Sequence, residues 1–500
     1  MKKIKSIIIE LTNNIPKLIC IFILMFLSLA SIISSCGLVK GERTIYIRDN
    51  WFINILSFII FIALIIFIRR KNRKSENLKE TENIKKRVFI AIIIIWTCLN
   101  LLFIVFSGYK PRADQKYIYK AAIEMTEGNF KSFTEKGYIG KNPQQGGMLL
   151  VEYFIALVSK QHVVFLVQCL NLIGLLVAFF AIYKITDLFF ENKSISKYTF
   201  VSLLLFAPIF FYTTFLYGNI LGLTFSTLAI WLQMLYEKKR KWYFIILAGV
   251  CIGLAIIIKS NYLIVLIAMV IMFLVDILEN KKLMDFIAII AIIAIYIAMN
   301  FATKFTISSI TGIKPSKGIP MMSYVAMGMQ EGKRAPGWYN GYNRKVYRKS
   351  HYNYEEANDK AKISINKRLE KFKNDPKYAI QFFSLKNLSQ WNNPSFQGLW
   401  INKITNAGIL KNILIEFMNI MQTLILLGAT IYLILDYKNI KGQLLFLIVV
   451  FIGGFLFHTI WEAKCQYTIT YFILLIPYSI KGYDLLSDRL IKFRKKWTST

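Results

Sequence analysis

Four short polar clusters interrupt a sequence that is otherwise strongly apolar, and each holds residue types able to do chemistry. In the first, Arg112-Ala113-Asp114-Gln115, Asp114 is the first acid after an apolar run that ends near residue 106. Tyr117, Ile118, Ala121, Ala122 and Met125 follow it at helical spacing, so a helix lying in the membrane interface is expected with Asp114 near its N-terminus. There the N-terminal amides favour negative charge, which suits a carboxylate acting as general base. An ordinary N-cap aspartate fits the same position. The second cluster, 138–147, runs Tyr138-Ile139-Gly140-Lys141-Asn142-Pro143-Gln144-Gln145-Gly146-Gly147, a turn-rich stretch leading into the short apolar run 148–158, which can enter a leaflet without crossing it. In the third, Lys259 interrupts the apolar stretch 250–267 and is followed by Ser260-Asn261. A cation at that depth suits a phosphate, although a lysine that snorkels to the surface has the same pattern. The fourth, 457–467, places His458, Trp461, Glu462 and Lys464 between two apolar runs. Aromatic faces and charged hydrogen-bonding groups suit a sugar or a phosphate, and a salt-bridged turn beside an interfacial tryptophan is the alternative.

The elements that must position these clusters follow from composition. Of 500 residues, 56% are hydrophobic, more than a water-soluble chain of this length can hide. Twelve runs of roughly span length are expected, near 18–38, 51–69, 88–106, 163–183, 198–216, 220–236, 242–258, 261–278, 284–303, 410–435, 443–460 and 467–480. The formal charge of +34 would point a soluble protein toward nucleic acid, but here lysine and arginine flank apolar runs, where they meet anionic lipid head groups. Membrane lipids are therefore the expected partner, and nucleic acid is not. The basic linker 69–87, the turn 237–241 and the tail 489–496 orient both termini to the cytoplasm by the positive-inside rule. Residues 107–162 and 304–409 then form two large outer loops, too long to be mere connectors. The second contains Pro320-Met321-Met322-Ser323-Tyr324 and Gly337-Trp338-Tyr339-Asn340-Gly341-Tyr342, aromatic and glycine-rich as a carbohydrate-facing loop would be, though loop packing accounts for them equally. The six cysteines form no Cys-x-x-Cys pair, so neither a disulfide framework nor a zinc site is expected. Ile33-Ser34-Ser35-Cys36 is loosely like a lipoprotein processing site, and a plain membrane anchor fits it too.

In their order and their common side, the clusters 112–115 with Gly128, 138–147, 259–261 and 458–467 resemble the polyprenyl-phosphate-sugar-dependent glycosyltransferases of the GT-C superfamily. That superfamily includes protein O-mannosyltransferases and the lipid A aminoarabinose transferase, and the likeness is closest to Gram-positive relatives. The resemblance implies an all-α polytopic membrane protein, a GT-C-like bundle of about 12 transmembrane helices with two large outer loops. Its division would be an N-terminal hairpin and basic linker at 1–87, a membrane core at 88–303, the second outer loop at 304–409, and C-terminal helices with a basic tail at 410–500. It further implies that Asp114 is the general base in an inverting single displacement, that Lys259, Arg112 and Lys141 hold the donor phosphate, and that Tyr138, His458, Trp461, Glu462 and Lys464 bind sugar or acceptor. Lys110 is a further phosphate candidate. Many relatives place a second acid directly beside the first; the neighbours here are Ala113 and Gln115, so no metal is expected. Asn219 stands where relatives often carry a carboxylate. No cofactor is implied beyond the lipid-linked sugar donor.

The expected function is transfer of a sugar from polyprenyl phosphate to a cell-envelope glycan or other outer acceptor, at a bacterial cell membrane. A basic outer surface would attract an anionic polymer such as a teichoic acid. A transporter or flippase of lipid-linked sugars, or a polysaccharide polymerase, are the alternatives. Carriers place ionisable residues at mid-membrane and repeat their halves, whereas the spans here are almost free of charge and the halves look unlike.

Overall fold

In hydrocarbon every backbone N–H and C=O must be satisfied within the protein, and a helix does this inside one segment. The apolar runs accordingly fold as helices. The computed structural model describes residues 2–74, 78–280, 282–404 and 408–498. The centre of the basic linker, 75–77, lies outside the described residues, as do the side chains of Lys2, Lys3 and the last residues of the basic tail. Helix α1 (Lys2–Ile33) leads into a hairpin, β1 (Ser34–Val39) and β2 (Arg43–Arg48), then α2 (Trp51–Lys74) and α3 (Leu78–Phe106). The first long loop folds into α4 (Asp114–Thr126), α5 (Tyr138–Lys141) and α6 (Gly146–Val158). The chain continues through α7 (Val163–Phe190), α8 (Lys193–Leu205), α9 (Ala207–Phe210), α10 (Asn219–Lys239), α11 (Tyr243–Ile258), α12 (Leu263–Asn280) and α13 (Met284–Thr311). The second long loop supplies α14 (Met321–Gly328), α15 (Tyr342–Lys349), α16 (Tyr354–Asn374), α17 (Pro376–Trp391) and α18 (Gly398–Ile401). Three helices end the chain: α19 (Gly408–Leu435), α20 (Phe446–Ile460) and α21 (Ile469–Thr498).

Among the described residues nine helical stretches are long and apolar enough to cross a bilayer, formed by α1, α2, α3, α7, α10, α12, α13, α19 and α20, with α7, α12 and α20 each extended by the 3-10 turn that precedes it. The other three expected spans also fall on helices: 242–258 on α11, which has 16 residues, 467–480 on α21, and 198–216 on α8 and α9. That last span is broken. Pro208 supplies no N–H, α8 stops at Leu205, and the chain unwinds between α9 and α10. Its free carbonyls are met from the side, because Asn171 Nδ2 donates to Thr213 O (3.1 Å) and Phe215 O (3.2 Å). Non-helical backbone inside the bundle is thus tolerated because a neighbouring helix satisfies it.

The first expected span ends earlier than its apolar pattern, at Ile33, and turns into the antiparallel hairpin, in which Cys36 pairs with Tyr46. The hairpin is tied to the second long loop: Cys36 N donates to Asn392 O (2.8 Å) and Thr44 N to Arg334 O (3.0 Å), while Glu42 forms an ion pair with Arg334. Cys36, the residue of the lipoprotein-like pattern, is buried in this strand.

Close approaches set two crossings, the second of which bears on the site. A Cβ on Gly482 of α21 would lie 2.0 Å from Gly428 O of α19, so a glycine is needed where the two backbones touch. A Cβ on Gly147 would lie 2.2 Å from Ile257 O, which brings the start of α6 against the end of α11 just before Lys259. Helix α13 runs past the apolar pattern to Thr311 and then delivers the second loop onto the first. There Ile319 N donates to Lys141 O (3.0 Å), and Ser316 Oγ donates to Gly140 O.

Candidate active site

The clusters far apart in sequence meet at the end of the bundle that carries both long loops. Asp114 opens α4, whose buried face is Gln115, Ile118, Ala121, Ala122 and Met125. Tyr117, expected on that face, is instead exposed and stacks on Tyr138 at 5.1 Å. Ala113, directly before the carboxylate, adopts φ 48°, a region that costs a residue with a Cβ roughly 1–3 kcal/mol and recurs at functional sites.

Two side chains aim Asp114. Tyr217 donates from its hydroxyl to Oδ2 (3.5 Å), and Gln145 Nε2 donates to the Tyr217 oxygen (3.1 Å), so the turn 138–147 orients the carboxylate through tyrosine. Arg344 Nη2 lies 3.4 Å from Oδ1, reaching in from α15 of the second loop. Burial opposes the Arg344 charge, but Tyr339, Asp114, Tyr138 and Tyr324 around it more than offset this and raise its pKa. Gln115, one of the two chain neighbours of Asp114, does structural work here. Its Oε1 accepts from Tyr109 OH (2.7 Å) and Leu216 N (2.9 Å), locking the loop after α3 to the unwound segment before α10.

Lys259 caps the C-terminus of α11 and is only 6% exposed. Its Nζ sits 3.4 Å from the centre of the Tyr217 ring and 5.7 Å from that of Tyr467. Burial first, and the Lys464 charge second, push its pKa well below the ordinary lysine value, while Asp114 and Glu462 pull it back up. Glu462 is equally buried, and burial and Asp114 raise its pKa against the pull of Lys464, Arg334 and Lys259. Among the described residues neither side chain has a hydrogen bond or an ion pair. A small cavity beside Lys259 is lined by Asn219, Asn261, Tyr262, Tyr467 and Thr470. Asn219 uses its Nδ2 to reach Gln466 O (3.1 Å), which ties α10 to the 458–467 segment, and leaves its buried Oδ1 without a partner.

The remaining candidates divide. Tyr138 lies beside Asp114, and burial together with that carboxylate holds its hydroxyl well above the ordinary tyrosine pKa. Trp461 stacks on Tyr324 (5.3 Å), whose hydroxyl donates to Asn142 Oδ1 (3.1 Å), so the second loop, the turn 138–147 and the last segment form one wall. Lys464 is half-buried near Glu462 and Lys259. Lys141 faces the Tyr352 ring at 5.7 Å; burial and the nearby Arg344 and Arg348 charges lower its pKa. His458 is fully buried behind this wall, stacked on Tyr467 at 5.5 Å with neither ring nitrogen hydrogen-bonded. Arg112 points away from Asp114, donating to Trp400 O (3.2 Å) and to Ile401 O, while Lys110 is exposed. Sequence reasoning missed Tyr217, Gln145 and Arg344. Arg344 joins Asp114 across 230 positions, a pairing with no local signal.

Residues 146–302, under a third of the chain, match the family model described as dolichyl-phosphate-mannose-protein mannosyltransferase. They comprise α6 to most of α13, including Tyr217 and Lys259. Among solved structures the chain is similar to the archaeal oligosaccharyltransferase AglB from Archaeoglobus fulgidus, solved with an inhibitory peptide and a dolichol-phosphate. The identity is 12% and the TM-score 0.43, over 83% of this chain and 52% of that one. The chain thus spans about half the length of that protein. Comparison with curated proteins finds no match. Asp114, Lys259 and the 458–467 segment are thus drawn together on a largely helical scaffold, and the similarity of residues 146–302 to the dolichyl-phosphate-mannose-protein mannosyltransferase family supports the GT-C resemblance read from the sequence.

Proposed function

We propose that the protein transfers a sugar from a polyprenyl-phosphate carrier to an acceptor hydroxyl of a cell-envelope glycan, on the outer face of a bacterial cell membrane, with both termini cytoplasmic. The observation that carries this reading is the partly exposed Asp114 carboxylate, held by Tyr217 and Arg344 beside the buried Lys259, which has no ion-pair partner among the described residues. In the proposed step Asp114 takes the proton of the acceptor hydroxyl as its oxygen attacks the anomeric carbon. The bond from that carbon to the phosphate oxygen breaks, its electron pair leaves with polyprenyl phosphate, and the sugar is inverted. Lys259 and Lys464 neutralise the departing phosphate, with Lys141 close enough to Arg344 and Arg348 to extend the same field. The stacked Trp461 and Tyr324 rings offer an aromatic wall to the sugar, and Glu462 offers a hydrogen-bond acceptor to its hydroxyls. The surplus of cations around one general base suits an anionic acceptor such as a teichoic acid.

The test is transfer of radiolabelled sugar from a panel of polyprenyl-phosphate donors to envelope polymer, in membranes holding the wild-type chain or Asp114→Asn. Transfer that depends on Asp114 supports the reading. Transfer retained by Asp114→Asn would remove the catalytic assignment, and transport of lipid-linked sugar without transfer would place the protein among carriers.

A further inference from the structure

Lys386 is a charged side chain with no solvent exposure, deep in the second loop, and the transfer chemistry does not use it. Its Nζ donates to Gly328 O (2.5 Å), at the end of α14, and to Trp461 O (2.7 Å), directly before Glu462. Both acceptors are main-chain carbonyls of segments that wall the site. The stem fits a slot shaped by glycine, since a Cβ on Gly337 would lie 2.6 Å from Lys386 Cδ and Cε. Around this slot the 461–468 segment is bound into the loop. Ala463 N donates to Gly337 O (2.9 Å), Cys465 Sγ to Ser389 O (3.3 Å) and Thr468 Oγ1 to Gln390 O (3.0 Å). Trp338 Nε1 anchors the same turn on Ser389 Oγ (2.7 Å).

We propose that Lys386 is a positioning residue, a pin that closes the second loop over the site and sets Trp461 and Glu462 in place for the substrate. The proposal rests on the transfer reading above for its purpose, but not for its test. One side-chain nitrogen bridges carbonyls of two segments that also touch through Tyr324 and Trp461, and two hydrogen bonds of about 1 kcal/mol each correspond to roughly 30-fold in an opening equilibrium. The titratable groups facing it are Glu462 of the pinned segment and His458 of α20; the α14 and Gly337 side presents backbone. Burial lowers the Lys386 pKa to about 7, with Glu462 opposing.

The sign of the pH dependence follows. With the pin released, Lys386 meets water and regains the ordinary lysine value, so the open form holds more protons than the closed one above about 7. Rising pH therefore favours closure, by up to about tenfold per unit, and below that point Lys386 adds no pH dependence.

Amide hydrogen exchange on the purified full chain reads the pin without any substrate. In Lys386→Met the amides of 461–465 should exchange at least about tenfold faster than in wild type at one pH, with amides in α10 and α19 unchanged. Between pH 7.5 and 9 the wild-type segment should show an almost flat rate, because closure offsets the base catalysis of exchange, whereas the variant should rise with the full slope. A lysine that stays buried when the segment opens would alter the level and not the slope. Equal rates in the two proteins, or the full slope in wild type, would overturn the proposal, and the wild-type slope decides alone where Lys386→Met does not fold. Because exchange is read on the resting protein, absence of sugar transfer in wild type counts against the proposed function only.

Discussion

At the end of the bundle away from the long loops, Arg240 bridges Asp276 (2.6 Å) and the fully buried Asp285 (2.5 Å), and Glu237 accepts from Gln443 (2.7 Å) and Gln233 (3.1 Å). Every one of those charges has a partner. At the loop-bearing end Lys259 and Glu462 are as deeply buried, yet among the described residues neither is hydrogen-bonded or ion-paired. A buried ion is costly unless paired, so the first arrangement is a way to seal helix ends, whereas the second leaves groups that a bound ligand would satisfy under the proposed function. Glu152 shows that an unpaired buried carboxylate is not enough by itself: it lies two turns into α6 with both oxygens unpartnered, and no cation faces it in the described structure. What distinguishes the loop-bearing end is the convergence of opposite charges, aromatic faces and an accessible carboxylate in one place.

That contrast predicts how each end should fail. Asp114→Asn should lower transfer by about 10²- to 10⁴-fold while the protein stays folded and binds donor, measured as initial rates and donor affinity. Lys259→Ala should raise the donor KM by about 10- to 100-fold with a smaller effect on the acceptor, since it removes a charged contact to phosphate. An equal effect on both substrates would argue against that contact.

Breaking the opposite end should cost stability instead. Arg240→Gln leaves two carboxylates facing each other, and breaking a buried pair costs about 3–5 kcal/mol. The guanidinium is a third exposed, so solvent screening reduces that figure, and the expected result is a lower Tm with unchanged transfer per folded molecule. A loss of transfer without loss of Tm would erase the distinction between the ends.

The smallest effect concerns pH. Glu462 has its pKa raised by burial, so the folded protein holds more protons than the unfolded one above the ordinary carboxylate value, and stability falls as pH rises through that window. Glu462→Gln removes the dependence. Its Tm should exceed that of wild type at pH 8, with the gap closing toward pH 4.5, and a gap that does not change with pH would mean Glu462 is not buried as a lone charge.

Much of the site was legible because it is punctuated: Asp114, Lys259 and the 458–467 segment stand out as polar residues in apolar sequence, and a run of about 20 apolar residues declares a span by its length alone. The buried face of α4 was legible by periodicity, with Tyr117 as the exception because it stacks on Tyr138 outside the helix face. The break at Pro208 was hidden, because an apolar pattern does not say which carbonyls Asn171 on another helix will satisfy. Arg112 read as a phosphate ligand because it is a cation of the first outer loop, but its side chain turns to carbonyls on α18.

The sequence by itself determined the solvent of this protein and the composition of its surfaces, since hydropathy and flanking charge act locally and need no partner. Only the tertiary structure decided which charges are partnered. Arg344 reaches Asp114 across 230 positions and Lys386 reaches Trp461 across 75, and such pairings depend on where helices cross, at contacts such as Gly147 against Ile257. The energy of a charge depends on its burial and on its neighbours in space, and neither quantity exists until the chain has folded.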